Sequence, residues 1–369
     1  MKHPKISIEL HQLFFIILQS QIGIGVLALP YNVHNIAQGD GWISTMLSGV
    51  VVVVFTTIIW LLYRRTPKLN FFEAVIYIYG RFIGKIVVST YIIFFVMVFL
   101  LVIAMYVDII RRWILAYTPS WILVLLIIFT SAYLAKESLH IIARFYVLAT
   151  LFIFLLLILM IGPYADINLE YILPVGHMGW KNIMRGVHES TIAMLGFEFV
   201  FIAFADTAGK TSQKLKVAIG ANIFVAVLYT FFVFTGLIVF SPEELTLVPE
   251  PILYMLKAIS FDIIERLDLL FLSVWVIPMI TSSITYLFIL SMGVKVVFNR
   301  THHGNIVRLM AVILLITILC MPLDNFMPWA QLSKIIAYLS YIFVGCIPAI
   351  TLLFSFLFKK AKNTGGSVS

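Results

Sequence analysis

The stretch Gln21-Ile22-Gly23-Ile24-Gly25-Val26-Leu27-Ala28-Leu29-Pro30 interrupts the first apolar run of this chain. Gly23 and Gly25 stand two residues apart at bilayer depth, preceded by the polar Gln19, Ser20 and Gln21. A helix that only faces lipid has no use for such polarity. In hydrocarbon every backbone N–H and C=O must be satisfied inside the protein, so a break is tolerated only where it is buried or lines a cavity. A helix broken near the midplane turns the N-terminus of one half and the C-terminus of the other toward a ligand. The opening of the chain therefore points to a small-molecule site.

Composition sets the environment. Of 369 residues, 62% are hydrophobic and 11% charged, with a mean hydropathy of +1.07. A soluble domain carries roughly a quarter charged residues, so this is an integral membrane protein. Windows of about 20 apolar residues, each long enough to cross the hydrocarbon core, recur along the whole length with no long polar stretch between them. We read one membrane domain over 1–369, ending in a short tail at 359–369. Lys2, His3 and Lys5 precede an apolar run as in a signal peptide, but no good cleavage site follows, so the segment is expected to be retained. Cys320 and Cys346 fall inside apolar spans without metal-ligand spacing and are expected to be small packing residues.

Ten spans are expected, near 10–34, 41–63, 84–112, 120–136, 140–162, 182–207, 217–240, 267–291, 306–322 and 335–358. An even count puts both termini on one side. Eighteen of the 25 Lys and Arg then fall on that side, from Lys2 and Arg64 to Lys362, and seven on the other. The positive-inside rule makes the richer side, and both termini, cytoplasmic. Topology thus explains the net charge of +8 without nucleic-acid binding. The outer loops hold much of the acid, including Glu243, Glu244, Glu250, Asp262, Glu265 and Asp268.

The layout repeats. An amphipathic stretch, 70–80, follows the second span, and another, 250–260, follows the seventh. Two halves of five spans, about 9–163 and 181–358, have opposite orientation, which makes the sixth span the counterpart of the first. It too should be broken, and Leu195-Gly196-Phe197-Glu198 places a glycine and a carboxylate in mid-span. Five plus five inverted spans with helices 1 and 6 broken is the leucine-transporter-like arrangement. The expected fold is all-α integral membrane with this topology.

The string from Gln12 to Pro30 (QLFFIILQSQIGIGVLALP) resembles the opening of the endospore germination permeases, the B subunits of bacterial nutrient germinant receptors, in the amino acid–polyamine–organocation superfamily. Gly196-Phe197-Glu198, the ten-span length and the short basic C-terminus are similar to the same family. The resemblance covers the whole chain. It implies a receptor component of the spore inner membrane that works with A and C subunits, senses amino acids, sugars or nucleosides, and triggers germination.

At the first break, the N–H groups of Gly25, Val26 and Leu27 would favour an anionic group through the partial positive charge of a helix start. The carbonyls around Gln21 and Ile22 would accept from a cation. The competing explanation is that Gly23 and Gly25 let another helix pack closely. Glu198 costs at least about 2.5–3.5 kcal/mol at mid-span, so it faces a cavity or a partner. Its roles would be to bind a ligand amine, to carry a proton or to hydrogen-bond the broken backbone of span one, against a plain helix-stapling role. Thr281-Ser282-Ser283 with Thr285 offers hydroxyls to a hard cation, though hydroxyls also bond back to their own helix. Pro278 should kink that helix.

Elsewhere the bland explanations are favoured. His188-Glu189 is a polar helix entrance, since Ile192 spoils a zinc-protease motif. Asp108, Arg111 and Arg112 form a solvated cluster. Gly209-Lys210-Thr211 mimics a phosphate loop, but Phe204 stands where glycine is required. His302-His303 is a lone pair without further metal ligands. No metal, cofactor or enzyme centre is expected. A nutrient receptor subunit is favoured over a proton- or sodium-coupled amino acid permease and over a ligand-opened ion conduit.

Overall fold

The computed structural model describes residues 7–23, 25–165, 167–259, 266–323 and 327–357. Its helices are α1 (Leu10–Gln21), α2 (Gly25–Ala37), α3 (Gly41–Arg65), α4 (Phe71–Tyr79), α5 (Arg81–Trp113), α6 (Ser120–Ala135), α7 (Leu139–Leu159), α8 (Gly179–Ala193), α9 (Val200–Asp206), α10 (Thr211–Val239), α11 (Pro242–Leu245), α12 (Pro251–Lys257), α13 (Leu267–Val297), α14 (His303–Leu319), α15 (Met327–Ser340) and α16 (Ile347–Leu357). A π-helical segment, Tyr341–Cys346, joins the last two.

Among the described residues six runs are long and apolar enough to cross a bilayer, and the pair Gly179–Ala193 and Phe197–Asp206, bent by 51°, adds a seventh. One run, Gly25–Arg65, folds back on itself. Gln38 (φ +43) and the 3-10 turn through Asp40 reverse the chain. Thr56 of α3 then returns to the depth of Gln21, and Asn222 of α10 hydrogen-bonds both side chains. The apolar α6 and α14, of 16 and 17 residues, are shorter than these runs. Large apolar side chains such as Phe129, Leu148, Leu151 and Leu309 cover the outside of the bundle, the surface a lipid environment demands.

Short helices fall where amphipathic stretches were expected. α4 opens with a reciprocal cap, Asn70 Oδ1 accepting from Glu73 N (3.0 Å) and Glu73 Oε2 from Asn70 N (2.9 Å), which satisfies two orphan donors. Gly80 (φ +82) ends it and lets α5 start at once. α4 packs beside α9, and α12 beside α2. Each short helix thus abuts the second half of a broken one.

The two ends of the described chain lie at one face. Ile8 pairs with Thr207, its N–H donating to Asp206 O (2.9 Å). Lys214 at the start of α10 donates to Tyr63 Oη and Phe204 O (2.8 Å each). Arg65 reaches the carbonyl of Ser355 in α16 at 2.8 Å. The opposite face is tied by the buried Asp40, whose carboxylate accepts from the N–H groups of Gly176 (2.6 Å) and Met178 (3.1 Å) ahead of α8.

Candidate functional site

The first break lies where the sequence placed it. α1 stops at Gln21, Ile22 is extended (φ −76, ψ 109) and α2 resumes at Gly25. Ile24 lies outside the described residues. The carbonyls freed by the interruption are held by other helices. Tyr229 Oη of α10 donates to Gln21 O (2.9 Å), and Ser282 Oγ of α13 donates to Ile22 O (3.1 Å). Hydroxyls supply what a helix end in hydrocarbon otherwise lacks. Gln21 Nε2 bonds Ile17 O (3.0 Å) and Asn222 Oδ1 (2.9 Å), while its buried Oε1 has no hydrogen-bond partner among the described residues.

In the sixth span α8 ends at Ala193, Met194 to Gly196 turn, and Phe197–Phe199 form a 3-10 turn into α9. Gly196 adopts φ +122, and a Cβ there would stand 2.0 Å from Ser20 O. Only glycine fits, for both reasons. Reciprocally, a Cβ on Gly25 would stand 3.1 Å from Ala193 Cα, and one on Gly23 would stand 2.9 Å from Ser282 Oγ and 3.2 Å from Tyr106 Oη. The two interruptions therefore interlock, Gly25 and Gly196 each admitting the backbone of the other span, while Gly23 admits side chains of α13 and α5. Close packing by the glycines of the first break is thus a fact of the structure. Val26 and Leu27, whose N–H groups open α2, are buried, and Leu195 is half-buried in the turn.

Glu198 is fully buried beside Phe197 and Phe199. Its Oε2 accepts from Gly196 N at 2.7 Å, so it braces its own break and not that of span one. Oε1 has no hydrogen-bond partner of ordinary geometry among the described residues, although Tyr286 of α13 approaches the carboxyl. Phe197 stacks over Phe55 (6.3 Å, 20°), and Phe199 packs on Phe288. The aromatic neighbours of the breaks are thus core side chains.

The hydroxyl run divides. Thr281 Oγ1 reaches Gln19 Oε1 (3.1 Å) and Gln19 O (3.3 Å), and Ser282 takes Ile22 O, so both seal α13 onto α1. Ser283 bonds back to Met279 O at 3.1 Å and leaves α1 alone. Gln19 Nε2 continues to Thr150 Oγ1 of α7 (3.2 Å), and Tyr146 Oη donates to Thr281 O at 2.6 Å. Pro278 lies inside an uninterrupted α13.

Sequence reasoning missed Tyr106, Tyr146, Tyr229, Tyr286 and Asn222, which surround the breaks. The signal was present. Tyrosine in membrane spans normally sits at the interface, and a buried hydroxyl needs a partner, so mid-span tyrosines mark polar interior. Two smaller readings change. Arg112 bonds Asp108 but also Glu250 Oε1 (2.6 Å), at the start of α12, so that cluster joins two elements. Burial holds the Glu250 carboxyl above its usual range despite Arg112. Both cysteines are exposed and not packed inside. Asp262, Glu265 and the tail lie outside the described residues. His188 stacks on Tyr341 (5.3 Å), with Nδ1 3.1 Å from its hydroxyl, and His303 Nε2 donates to Ala135 O at 2.9 Å.

Residues 7–326 match the spore permease family of spore germination proteins. The chain belongs to that family. Spore germination protein YndE of Bacillus subtilis is 27% identical over 362 residues, covering 95% of this chain and 97% of the relative. Spore germination protein GerQB of Bacillus cereus is 24% identical, covering 77% and 79%. Among solved structures the fold is similar to that of Mhp1, a nucleobase-cation-symport-1 family transporter in a closed conformation with bromovinylhydantoin bound (TM-score 0.68, 16% identity, 98% of this chain and 81% of that one). It is also similar to the Eremococcus coleocola manganese transporter (TM-score 0.56, 11% identity, 96% and 81%). The chain is a multi-pass membrane protein of the spore germination permease family with a leucine-transporter-like fold, as its opening motif implied.

Proposed function

We propose that this chain is the B subunit of a nutrient germinant receptor. A small germinant, an amino acid or a molecule of similar size, binds where the two broken spans meet, at 21–26 and 195–198, and the signal passes by conformational change to A- and C-type partner subunits in the spore inner membrane. The interlock of Gly25 with Ala193 and of Gly196 with Ser20 carries this reading. It couples the two interruptions, so a ligand that prefers them apart would move both spans together. A ligand shifts an equilibrium only through such differential affinity. Both termini on the Lys- and Arg-rich side supports a cytoplasmic location for them. The matched placement of α4 beside α9 and α12 beside α2 supports two inverted repeats, 9–163 and 181–358.

A proton- or sodium-coupled amino acid permease is the second reading, and two observations favour it. Glu198 is a buried carboxyl whose Oε1 has no hydrogen bond of ordinary geometry among the described residues, and Thr281 and Ser282 set hydroxyls against carbonyls at the end of α1. Against an ion there, Gln19, Thr150, Tyr146 and Thr281 already satisfy one another.

Calorimetric titration of candidate amino acids, sugars and nucleosides into the purified complex tests the first reading. Saturable binding with no uptake by proteoliposomes of this chain supports it. Uphill accumulation of a labelled nutrient under an imposed proton or sodium gradient would replace the receptor with the permease.

A further inference from the structure

An open groove of about 530 Å³ runs along the outside of the bundle between α6 and α14. Leu125, Phe129, Tyr133, Val312 and Leu315 line it, and Lys136 and Arg308 close one end. The helices meet at that end. A Cβ on Gly304 would lie 3.3 Å from Lys136 O, and His303 bonds Ala135 O. The same end belongs to the face that carries both chain ends, because α13, whose last turns pack on α4 and α5, delivers the chain there into α14.

We propose that this groove binds one anionic phospholipid of the inner leaflet, its phosphate between Lys136 and Arg308 and an acyl chain along the apolar wall. Three observations select that occupant. The two cations come from different helices and converge on one rim, whereas Arg81 and Lys85, beside another surface hollow, share a single helix face. Among the described residues neither cation is held by a close ion pair: Lys136 Nζ lies 3.9 Å from Glu137 and over the ring of Tyr133 (4.4 Å to its centroid), and Arg308 Nη1 lies 3.4 Å from Asn305 Oδ1, so each retains N–H donors for a phosphate oxygen. From Lys136 to Leu125 the wall extends about 16 Å along α6, close to the roughly 15 Å of one leaflet's hydrocarbon. Basic pockets between spans on the cytoplasmic side recognise anionic headgroups. A soluble phosphate would gain nothing from the apolar wall.

The full chain in mixed nanodiscs, with photoactivatable phosphatidylglycerol as probe and mass spectrometry to map the adducts, tests the assignment. Adducts should concentrate on α6 and α14, and Lys136→Gln with Arg308→Gln should weaken labelling there about twenty-five-fold, roughly fivefold for each cation. Arg81→Gln with Lys85→Gln removes the same net charge and should leave α6 and α14 labelled. Equal labelling by photoactivatable phosphatidylcholine, or equal loss in the two double variants, would reduce the site to general surface attraction and overturn the proposal. Both variants lie on the exterior, and an unchanged gel-filtration profile separates lost lipid from lost fold.

Discussion

The two breaks are secured by different means. The first depends on distant helices, since Tyr229 and Ser282 hold the carbonyls of Gln21 and Ile22 across more than 200 residues of sequence. The second is braced locally, by Glu198 on the N–H of Gly196 two residues away and by one glycine conformation. A locally braced bend keeps its shape when neighbouring helices shift. A bend held by other spans changes when those spans move. On this contrast the first break is the adjustable member of the pair and the second the fixed one.

Gly196→Ala is the most severe way to break that contrast. Its Cβ would lie 2.0 Å from backbone oxygen in a conformation that L side chains rarely adopt. Backbone cannot yield as a side-chain tip would, so destabilisation should exceed about 4 kcal/mol, a range reserved for such mechanisms. The expected result is loss of a monodisperse protein after detergent extraction. Recovery of normal yield and germinant response would show that the second break is not fixed.

Glu198 comes next, and two substitutions divide its roles. Glu198→Ala strands the buried N–H of Gly196, costing about 1–3 kcal/mol, before any cavity term. Glu198→Gln keeps an oxygen acceptor for that N–H while removing the acid. If the carboxyl serves only as a brace, Gln should restore both stability and germinant response. If it meets a ligand amine or carries a proton, Gln should restore thermal stability alone. Melting curves and response assays on the same preparations separate these outcomes.

Gly25→Ala should fall below both. Its Cβ would meet Ala193 at 3.1 Å, a contact relieved by a shift of a few tenths of an ångström. Overpacking of that kind costs about 1–3 kcal/mol. Because the shift pries the breaks apart, the variant should respond to germinant at altered concentration while still folding. Unaltered sensitivity would separate the interlock from signalling.

The sequence exposed the breaks and hid their supports for one physical reason. Glycines inside apolar runs, and a carboxylate in mid-span, violate rules that operate within a single helix, so Gly23, Gly25, Gly196 and Glu198 stand out without knowledge of the fold. The partners obey local rules. Tyr229, Tyr286 and Asn222 sit in unbroken helical spans; their mid-span polarity marks a polar interior, but only tertiary packing turns their polar atoms onto the breaks. Thr281 and Ser282 were visible as hydroxyls, but their separation from Ser283 depends on which side of α13 meets α1. The bridging of Arg112 to Glu250 was equally hidden, since the two residues are 138 apart in sequence.

The smallest expected effects decide whether the first break is adjustable. Tyr229→Phe and Ser282→Ala each delete one interhelical hydrogen bond, and such bonds in membranes average about 0.6 kcal/mol. Singly, each should lower the unfolding free energy by about that amount in chemical denaturation from detergent micelles. The double variant is more telling, because the two hydroxyls serve adjacent carbonyls, those of Gln21 and Ile22. If they jointly hold a strand that moves without them, the double loss should depart from the sum by at least about 0.5 kcal/mol. Either hydroxyl then keeps the segment partly in place for the other. A sum that closes within about 0.3 kcal/mol would instead describe two independent contacts on a rigid segment. The first break would then be as fixed as the second, and adjustment to a ligand would have to come from the spans around them.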